Sequence, residues 1–263
     1  MKKNIIILLL LLFLAKIYYF YTEVPPVISV KPARTQVFVQ PGSHYDGNFL
    51  IVNQSDQAIQ VVLEAEDWTE IAQGSRIKGM PGWLQFDKLE VSIEPNKTER
   101  ISYRLALRED ANGVKMAQIF FVPSYLDKQT FIKTRMGVII QAIAQGTEKN
   151  EISNAQIEIE PINATNAIAY LSLANTGNTH LIWYAEIKLK DMSGRPKGSA
   201  MIRPGKTLLA GQTTTIKTPL ENYSPITPDN AMTDIILHYG IQKDDEYQKK
   251  FSELATIKKS ITN

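Results

Sequence analysis

Histidine, cysteine and acidic residues carry most catalytic and metal-binding chemistry, and this chain arranges few of them usefully. It contains three histidines, His44, His180 and His238, and no cysteine. A metal site would require these histidines to converge, with carboxylates, from three distant segments. The absence of cysteine excludes disulfides, thiolate metal sites and a cysteine nucleophile. We therefore expect no metal centre and no cofactor.

Other catalytic signatures are equally sparse. The sequence has no Gly-x-Ser-x-Gly elbow, and its glycines stand singly rather than in a phosphate-binding or dinucleotide-binding pattern. Residue order alone does not exclude a Ser/His/Asp triad, because such triads assemble from distant segments. The acidic run KDDEY lacks the alternating spacing of a calcium loop and fits a hairpin tip. We interpret the chain as non-enzymatic, and an enzyme is the least favoured alternative.

Length and charge limit the classes of partner. With 263 residues, of which 44% are hydrophobic, the chain is long enough to bury the cores of two ordinary domains. Its 29 basic and 27 acidic residues give a formal charge of +2. This balance gives no electrostatic reason to expect a nucleic-acid partner.

The N-terminal segment, residues 1–23, has the pattern of an export signal. Lys2 and Lys3 precede an apolar run at residues 5–15. The aromatic-rich IYYFY that follows extends the apolar length to about 17 residues, near the lower limit for a membrane-spanning helix. A cleaved signal peptide and an uncleaved membrane anchor both remain open. In either case we expect an exported protein in the periplasm or on the outer face of the cytoplasmic membrane.

After this segment the chain consists of short alternating stretches separated by Pro, Gly, Asn and Asp. Examples are VISVKPARTQVFVQPG, FLIVNQSDQAIQVVLEAEDW, and LEVSIEPNKTERISYRLAL, which reads as two strands joined at EPNKT. About seven such strands in about 120 residues are typical of an antiparallel immunoglobulin-like sandwich. We predict that residues 27–146 form this domain.

A second domain follows the hydrophilic linker QGTEKNE. The strand-turn-strand pattern around NQSDQ returns in AYLSLANTGNTHLIWYAEIKLKD, and RPGKT at residues 203–207 looks like a counterpart of EPNKT at residues 94–98. We predict a second sandwich at residues 152–260. The predicted fold is all-β, with two tandem immunoglobulin-like sandwiches behind an N-terminal signal or anchor helix.

Several of these stretches, taken in order, resemble the N-terminal immunoglobulin-like domain of bacterial periplasmic pilus chaperones. The resemblance rests on ISVKPARTQVFVQPG, FLIVNQSDQAIQVVLEAEDW, WLQFDKLEVSIEPNKTERISYRL and ANGVKMAQIFFVP, and it covers close to half of the chain. The second domain resembles generic bacterial immunoglobulin-like modules. The resemblance implies a chaperone in the cell envelope that binds pilus or surface subunits.

In the family, the chaperone lends its last N-domain strand to an unfinished subunit, while an Arg of the first strand and a Lys of the last hold the subunit's terminal carboxylate. The resemblance implies Arg34 as that arginine, Lys133 or Arg135 as the second cation, and FIKTRMGVIIQAIAQ as the lent strand. The candidate partner-binding residues are Arg34, Lys133, Arg135, Ile132, Met136, Val138 and Ile140.

One departure keeps a second interpretation open. The connection SYLDKQT before this strand is shorter than is usual in the family. The alternative is a non-enzymatic, exported or membrane-anchored scaffold or adhesion protein built from two stacked sandwiches. An exposed apolar face on the strand at residues 131–141 would favour the chaperone, and a buried face would favour the scaffold.

Overall fold

The computed structural model describes residues 26–126, 133–241, 247–254 and 256–257. The predicted signal or anchor, residues 1–23, lies outside these ranges. The first ten strands are β1 (Ile28–Lys31), β2 (Arg34–Val39), β3 (His44–Asn53), β4 (Ile59–Asp67), β5 (Ile77–Lys78), β6 (Leu84–Phe86), β7 (Glu90–Ile93), β8 (Thr98–Ala106), β9 (Val114–Tyr125) and β10 (Met136–Ala144).

The other strands are β11 (Ile152–Pro161), β12 (Ala167–Asn175), β13 (Leu181–Asp191), β14 (Pro196–Leu208), β15 (Thr213–Leu220), β16 (Ala231–Gly240), β17 (Tyr247–Leu254) and β18 (Thr256–Ile257). Short 3₁₀ helices occur at Ile71–Gln73 and Pro228–Asn230. The described part of the chain contains no helix with the length and apolarity of a membrane span. The predicted all-β fold with two sandwiches is confirmed, and we propose 27–146 and 152–260 as the domain limits.

The first sandwich packs two sheets face to face. One has the strand order β1-β3-β8-β6, and the other has the order β2-β10-β9-β4-β5, with β7 also paired to β4. Alternate residues of the longer strands, such as β4 and β8, are buried between the sheets, as a period of two requires. Phe49 is fully buried, with its ring 5.0 Å from that of Tyr103 and 5.4 Å, edge to face, from that of Phe121. These rings join the two sheets through one apolar core.

Strands β1 and β2 lie in different sheets although only Pro32 and Ala33 separate them. β1 pairs antiparallel with β3, whereas β2 pairs parallel with β10. Pro32 has no N–H group to continue a ladder, so the chain changes sheets there. The Ile139 N–H donates to the Ala33 carbonyl oxygen at 3.4 Å, which marks where β2 joins β10. This change of sheet places Arg34 beside Ile139.

The second sandwich repeats the two-layer plan with the orders β15-β12-β11-β18 and β14-β13-β16-β17. Alternation is regular in β12, where every odd-numbered residue from Ala167 to Asn175 is buried and the residues between are half-buried. Trp183 is buried at the centre, with Leu171, Ile187 and Ile235 in the same core. The alternating sequence pattern therefore accounts for the core.

A buried asparagine ends one strand in each sandwich and explains the repeated sequence pattern. Asn53 Nδ2 donates to the carbonyl oxygens of Gln57 (2.8 Å), Ile93 (3.1 Å) and Glu94 (3.1 Å), and its Oδ1 accepts from the Ser55 N–H at 2.9 Å. The side chain thus closes its own turn and holds a neighbouring strand end.

Asn175 makes the matching bonds in the second sandwich. Its Nδ2 donates to the carbonyl oxygens of Thr179 (2.8 Å) and Leu208 (3.2 Å), and its Oδ1 accepts from the Gly177 N–H at 3.0 Å. The turn partner four residues on and the acceptor on the neighbouring strand end are the same in both domains. The repeat is therefore a shared device for closing a turn.

These bonds also correct the expected counterpart of EPNKT. The Asn53 N–H donates to the Lys97 carbonyl oxygen at 3.0 Å, and the Asn175 N–H donates to that of Gln212 at 2.9 Å. Asn96 and Gly211, which precede these acceptors, both have positive φ, +56° and +74°. The counterpart of residues 94–98 is therefore residues 209–213. The expectation for RPGKT was wrong, because those residues continue strand β14.

Asn178 of the second sandwich fastens the junction between the domains. Its main-chain oxygen accepts from the Val114 N–H at 3.0 Å, its Oδ1 accepts from the Lys149 N–H at 2.7 Å, and its Nδ2 donates to the Thr147 oxygen at 2.9 Å. Gly113 packs against it with φ +63°, and a Cβ there would lie 2.8 Å from Asn178 Cβ. The junction is thus a hydrogen-bonded contact with no space for a side chain at residue 113.

Candidate functional site at the domain junction and the open edge of β10

The outward face of β2 and β10 carries a polar group next to the second sandwich. Arg34 Nη2 donates to Gln141 Oε1 at 2.6 Å and to Gln36 Oε1 at 3.3 Å. Gln36 Nε2 in turn donates to the Ile241 carbonyl oxygen, in the second sandwich, at 3.4 Å. Gln141 is only 4% exposed, so its buried amide orients the side chain of the exposed Arg34. Arg34 itself is exposed, which leaves its remaining N–H groups accessible to an anion.

His180 of the second sandwich is near enough to Arg34 to be affected by its charge. Its Nδ1 accepts the Ala210 N–H at 2.9 Å, so the neutral ring carries its hydrogen on Nε2. The ring is 7% exposed, and Nε2 has no hydrogen-bond partner among the described residues. Burial, and secondarily the Arg34 charge, lower the pKa of His180 from 6.5 to about 4. His180 is therefore neutral at physiological pH, and Arg34 carries the positive charge of this group.

One edge of β10 is open in the part of the strand before Ile139. β9 pairs with residues Met136 to Ile143 of β10, but β2 reaches only residues from Ile139 onward. Within the described ranges no strand pairs with Met136 to Val138 on the β2 side, and residues 133–135 precede the strand. The Ile139 N–H points to that side, toward Ala33, and alternate residues of a strand point the same way. The N–H and C=O of Gly137 therefore face the open edge.

The predicted apolar residues of this strand face the interior. Val138 and Ile140 are 1% and 0% exposed in the first core, and Met136 packs against that core. Ile132 lies outside the described residues. Between Met136 and Ile140 the outward positions are Gly137 and the half-buried Ile139. By the criterion taken from the sequence, this buried face favours the scaffold interpretation.

The structure does not bring the predicted second cation to Arg34. Arg135 Cζ lies 4.2 Å from the centre of the Phe120 ring, and Arg135 Nη1 lies 4.0 Å from Glu64 Oε2. Lys133 is exposed two residues earlier. Arg135 precedes Ile139 by four residues, or about 13 Å along an extended strand. The β10 side chain in contact with Arg34 is that of the uncharged Gln141.

Sequence reasoning missed three members of the junction group: Gln36, Gln141 and His180. Gln141 had a visible signal, because it interrupts the apolar run GVIIQAIA, and a polar side chain within a buried strand requires a partner. His180 carried no such signal, because its neighbours are those of an ordinary turn. Within the described residues no group of three or more His, Asp or Glu side chains could hold a metal ion.

Comparison with known proteins places this geometry within a known fold. No family model matches the chain, and no curated protein matches it. Among solved structures, the architecture is that of two-domain fimbrial chaperones. The class 5 fimbriae chaperone CfaA is similar with a TM-score of 0.50 and 13% identity, over 85% of this chain and 98% of that one.

A chain from a chaperone-tip adhesin complex of CFA/I fimbriae biogenesis is similar to the same degree. Its TM-score is 0.50 and its identity is 12%, over 85% of this chain and 98% of that one. At these identities the likeness establishes the fold. The resemblance read from the sequence is confirmed at that level: the chain has a pilus-chaperone-like pair of immunoglobulin-like sandwiches.

Proposed function

We propose that this protein is an exported chaperone-like protein of the cell envelope that binds a β-rich pilus or surface subunit by strand pairing. It acts in the periplasm or on the outer face of the cytoplasmic membrane, and its N-terminal segment tethers it to the membrane if that segment is not cleaved. Its partner is a protein, and its action requires no cofactor and no catalytic step. The architecture it shares with solved fimbrial chaperones supports the proposal.

The observation that carries the proposal is the open edge of β10 at Met136–Val138, ahead of its pairing with β2. A strand with unpaired N–H and C=O groups on one side is a template for another extended chain, because each added main-chain bond satisfies both partners. The edge stops at Ile139, where β2 begins, and Arg34 lies at that point. A partner strand that runs along the edge therefore ends beside an exposed guanidinium.

Arg34 is the proposed anchor for an anionic group of the partner. Its contacts with Gln36 and Gln141 fix the guanidinium without neutralising it, because both acceptors are uncharged amides. A carboxylate held by such a cation contributes about 1.5–3 kcal/mol to binding. We propose that Lys133 and Arg135 contact the partner farther along the edge.

The scaffold alternative has one observation in its favour. The apolar side chains of Val138 and Ile140 are committed to the first core and are not available to fill a partner's groove. In that interpretation the two sandwiches serve as a rigid spacer or adhesive surface, and β10 is an ordinary core strand.

Hydrogen–deuterium exchange on the full-length tagged protein, recovered from its native envelope with bound partners, separates the two functions. Strand pairing predicts slower exchange of the Gly137 amide in the complex, because that N–H faces the open edge. Gly137→Pro removes this donor without removing a bond to β9, so it should abolish the complex. Protection elsewhere on the surface, with Gly137 unchanged, would support the scaffold.

Arg34→Ala tests the anchor in the same material. Loss of the charge contact should weaken partner binding about 10- to 100-fold. Arg100→Ala is the matched control, because Arg100 is an exposed arginine on β8 of the opposite sheet. Equal binding by Arg34→Ala and Arg100→Ala would show that Arg34 is not part of the binding site.

A further inference from the structure

On the outward face of β10, beside the open edge, Gly137 has no side chain where most strand positions carry one. Gly137 lies opposite Phe120 of β9, and Ile139 lies opposite Gln118. A Cβ on Gly137 would overlap Gln118 Nε2 and lie 3.3 Å from Phe120 Cε1. Gln118 thus extends its flexible amide over the backbone of Gly137. The φ angle of Gly137 is not in the left-handed region, so the backbone does not require glycine at this position.

A partner strand would place one side chain directly opposite Gly137, on the same face as Phe120. An aromatic side chain at that position can lie across a glycine on a neighbouring strand, because no Cβ obstructs it. It would displace the side-chain amide of Gln118 and meet the edge of the Phe120 ring. Aromatic pairs of this kind add to the stability provided by area burial alone.

The position two residues before Gly137 carries the positive charge of Arg135. Lys133 and Arg135 lie in the segment just before β10 begins, next to its open edge, and Arg34 lies where β2 closes that edge. The acidic residue in contact with Arg135 is Glu64, at 4.0 Å with both side chains more than half exposed, so this pair is weak. A carboxylate on the partner strand opposite Arg135 would complement this excess of positive charge.

We propose that the strand recognised by the open edge carries an aromatic residue opposite Gly137 and an acidic residue two positions away, opposite Arg135. This inference rests on the proposed function and specifies its partner. The two partner side chains lie on one face, because residues two apart in a strand point the same way. Gly137 thus selects an aromatic residue, and Arg135 sets the sign of the neighbouring charge.

Selection of randomised nonapeptides displayed on phage against the full-length protein tests the inference. Peptides that slow exchange of the Gly137 amide should share an aromatic residue separated from an acidic one by a single position. Gly137→Val keeps the edge N–H but fills the gap, so it should remove the aromatic preference and weaken the selected peptides about 3- to 10-fold. Arg135→Glu should change the neighbouring preference from acidic to basic.

Controls keep the result independent of folding. Gly137→Ala is a milder change that meets only the flexible end of Gln118 within 3 Å, and Gly82→Val is a matched control because no atom lies within 4 Å of a Cβ there. Unchanged exchange in β9 and unchanged melting temperatures show that the fold is intact.

Peptides that protect Gly137 without aromatic enrichment, or with the same enrichment in Gly137→Val, overturn the inference but keep strand pairing. Failure of any peptide to protect Gly137 overturns both.

Discussion

Replacing Asn175 with alanine removes the side chain that closes a turn and holds a strand end in the second sandwich. The change leaves the carbonyl oxygens of Thr179 and Leu208 and the Gly177 N–H without the partner that each has in the native protein. Each net hydrogen bond contributes about 1 kcal/mol, and a buried group left unpaired costs more than that. We expect the free energy of unfolding to fall by about 3 kcal/mol, and by a similar or larger amount for Asn53→Ala.

Urea unfolding followed by tryptophan fluorescence measures this effect in the second sandwich when Trp68 and Trp83 of the first sandwich are replaced by phenylalanine in every variant, because the remaining Trp183 is 1% exposed. The midpoint should fall while the dependence on urea concentration stays the same, since the surface exposed on unfolding is unchanged. Asn163→Ala is the matched control, because Asn163 also organises a turn but is exposed. If Asn175→Ala and Asn163→Ala unfold within about 0.5 kcal/mol of each other, the buried bonds do not stabilise the turn as argued.

Two further predictions concern a close contact and a buried base. In Gly47→Ala the new Cβ would lie 2.8 Å from Tyr103 Cε2 and overlap the ring further out. Calorimetry should show a loss of about 1–3 kcal/mol, whereas Gly82→Ala should leave stability unchanged. Because the pKa of His180 falls from 6.5 to about 4 on folding, its contribution to stability is complete above pH 6.5 and is lost as pH falls through 4, by about 3 kcal/mol in all. An NMR titration of the His180 ring should give this low pKa, and Arg34→Ala should raise it only in part; a value near 6.5 in the intact protein would contradict its burial.

The sequence predicted the elements whose burial follows a simple period. The segment AIAYLSLAN alternates in letters, and β12 alternates in burial at the same residues. The apolar alternation of Val138 and Ile140 was also visible, and both residues are buried. In β12 one face packs on the partner sheet and the other does not, so local composition carries the information. In β10 the residues from Ile140 to Ala144 are all buried, so burial there does not follow that period.

Features that depend on distant pairing could not be read in the same way. EPNKT and RPGKT share turn-forming residues. The true counterpart of EPNKT is set instead by the main-chain hydrogen bond from the Asn175 N–H to the Gln212 carbonyl oxygen. The junction group joins Arg34 to Gln141 and His180 only after β2 has crossed to the second sheet. No local pattern encodes that parallel pairing, because its partners are about a hundred residues apart.

The buried face of β10 and its open edge are compatible, because a strand has two faces and two edges at right angles. Val138 and Ile140 direct their side chains into the first core, perpendicular to the sheet. The N–H and C=O groups of Gly137 lie in the plane of the sheet and point toward the open edge. A partner strand bonds to the edge and needs no side chain from the buried face. Exposure of an apolar face therefore tests only a mechanism in which side chains are donated, and strand pairing through the main chain must be tested at the Gly137 amide.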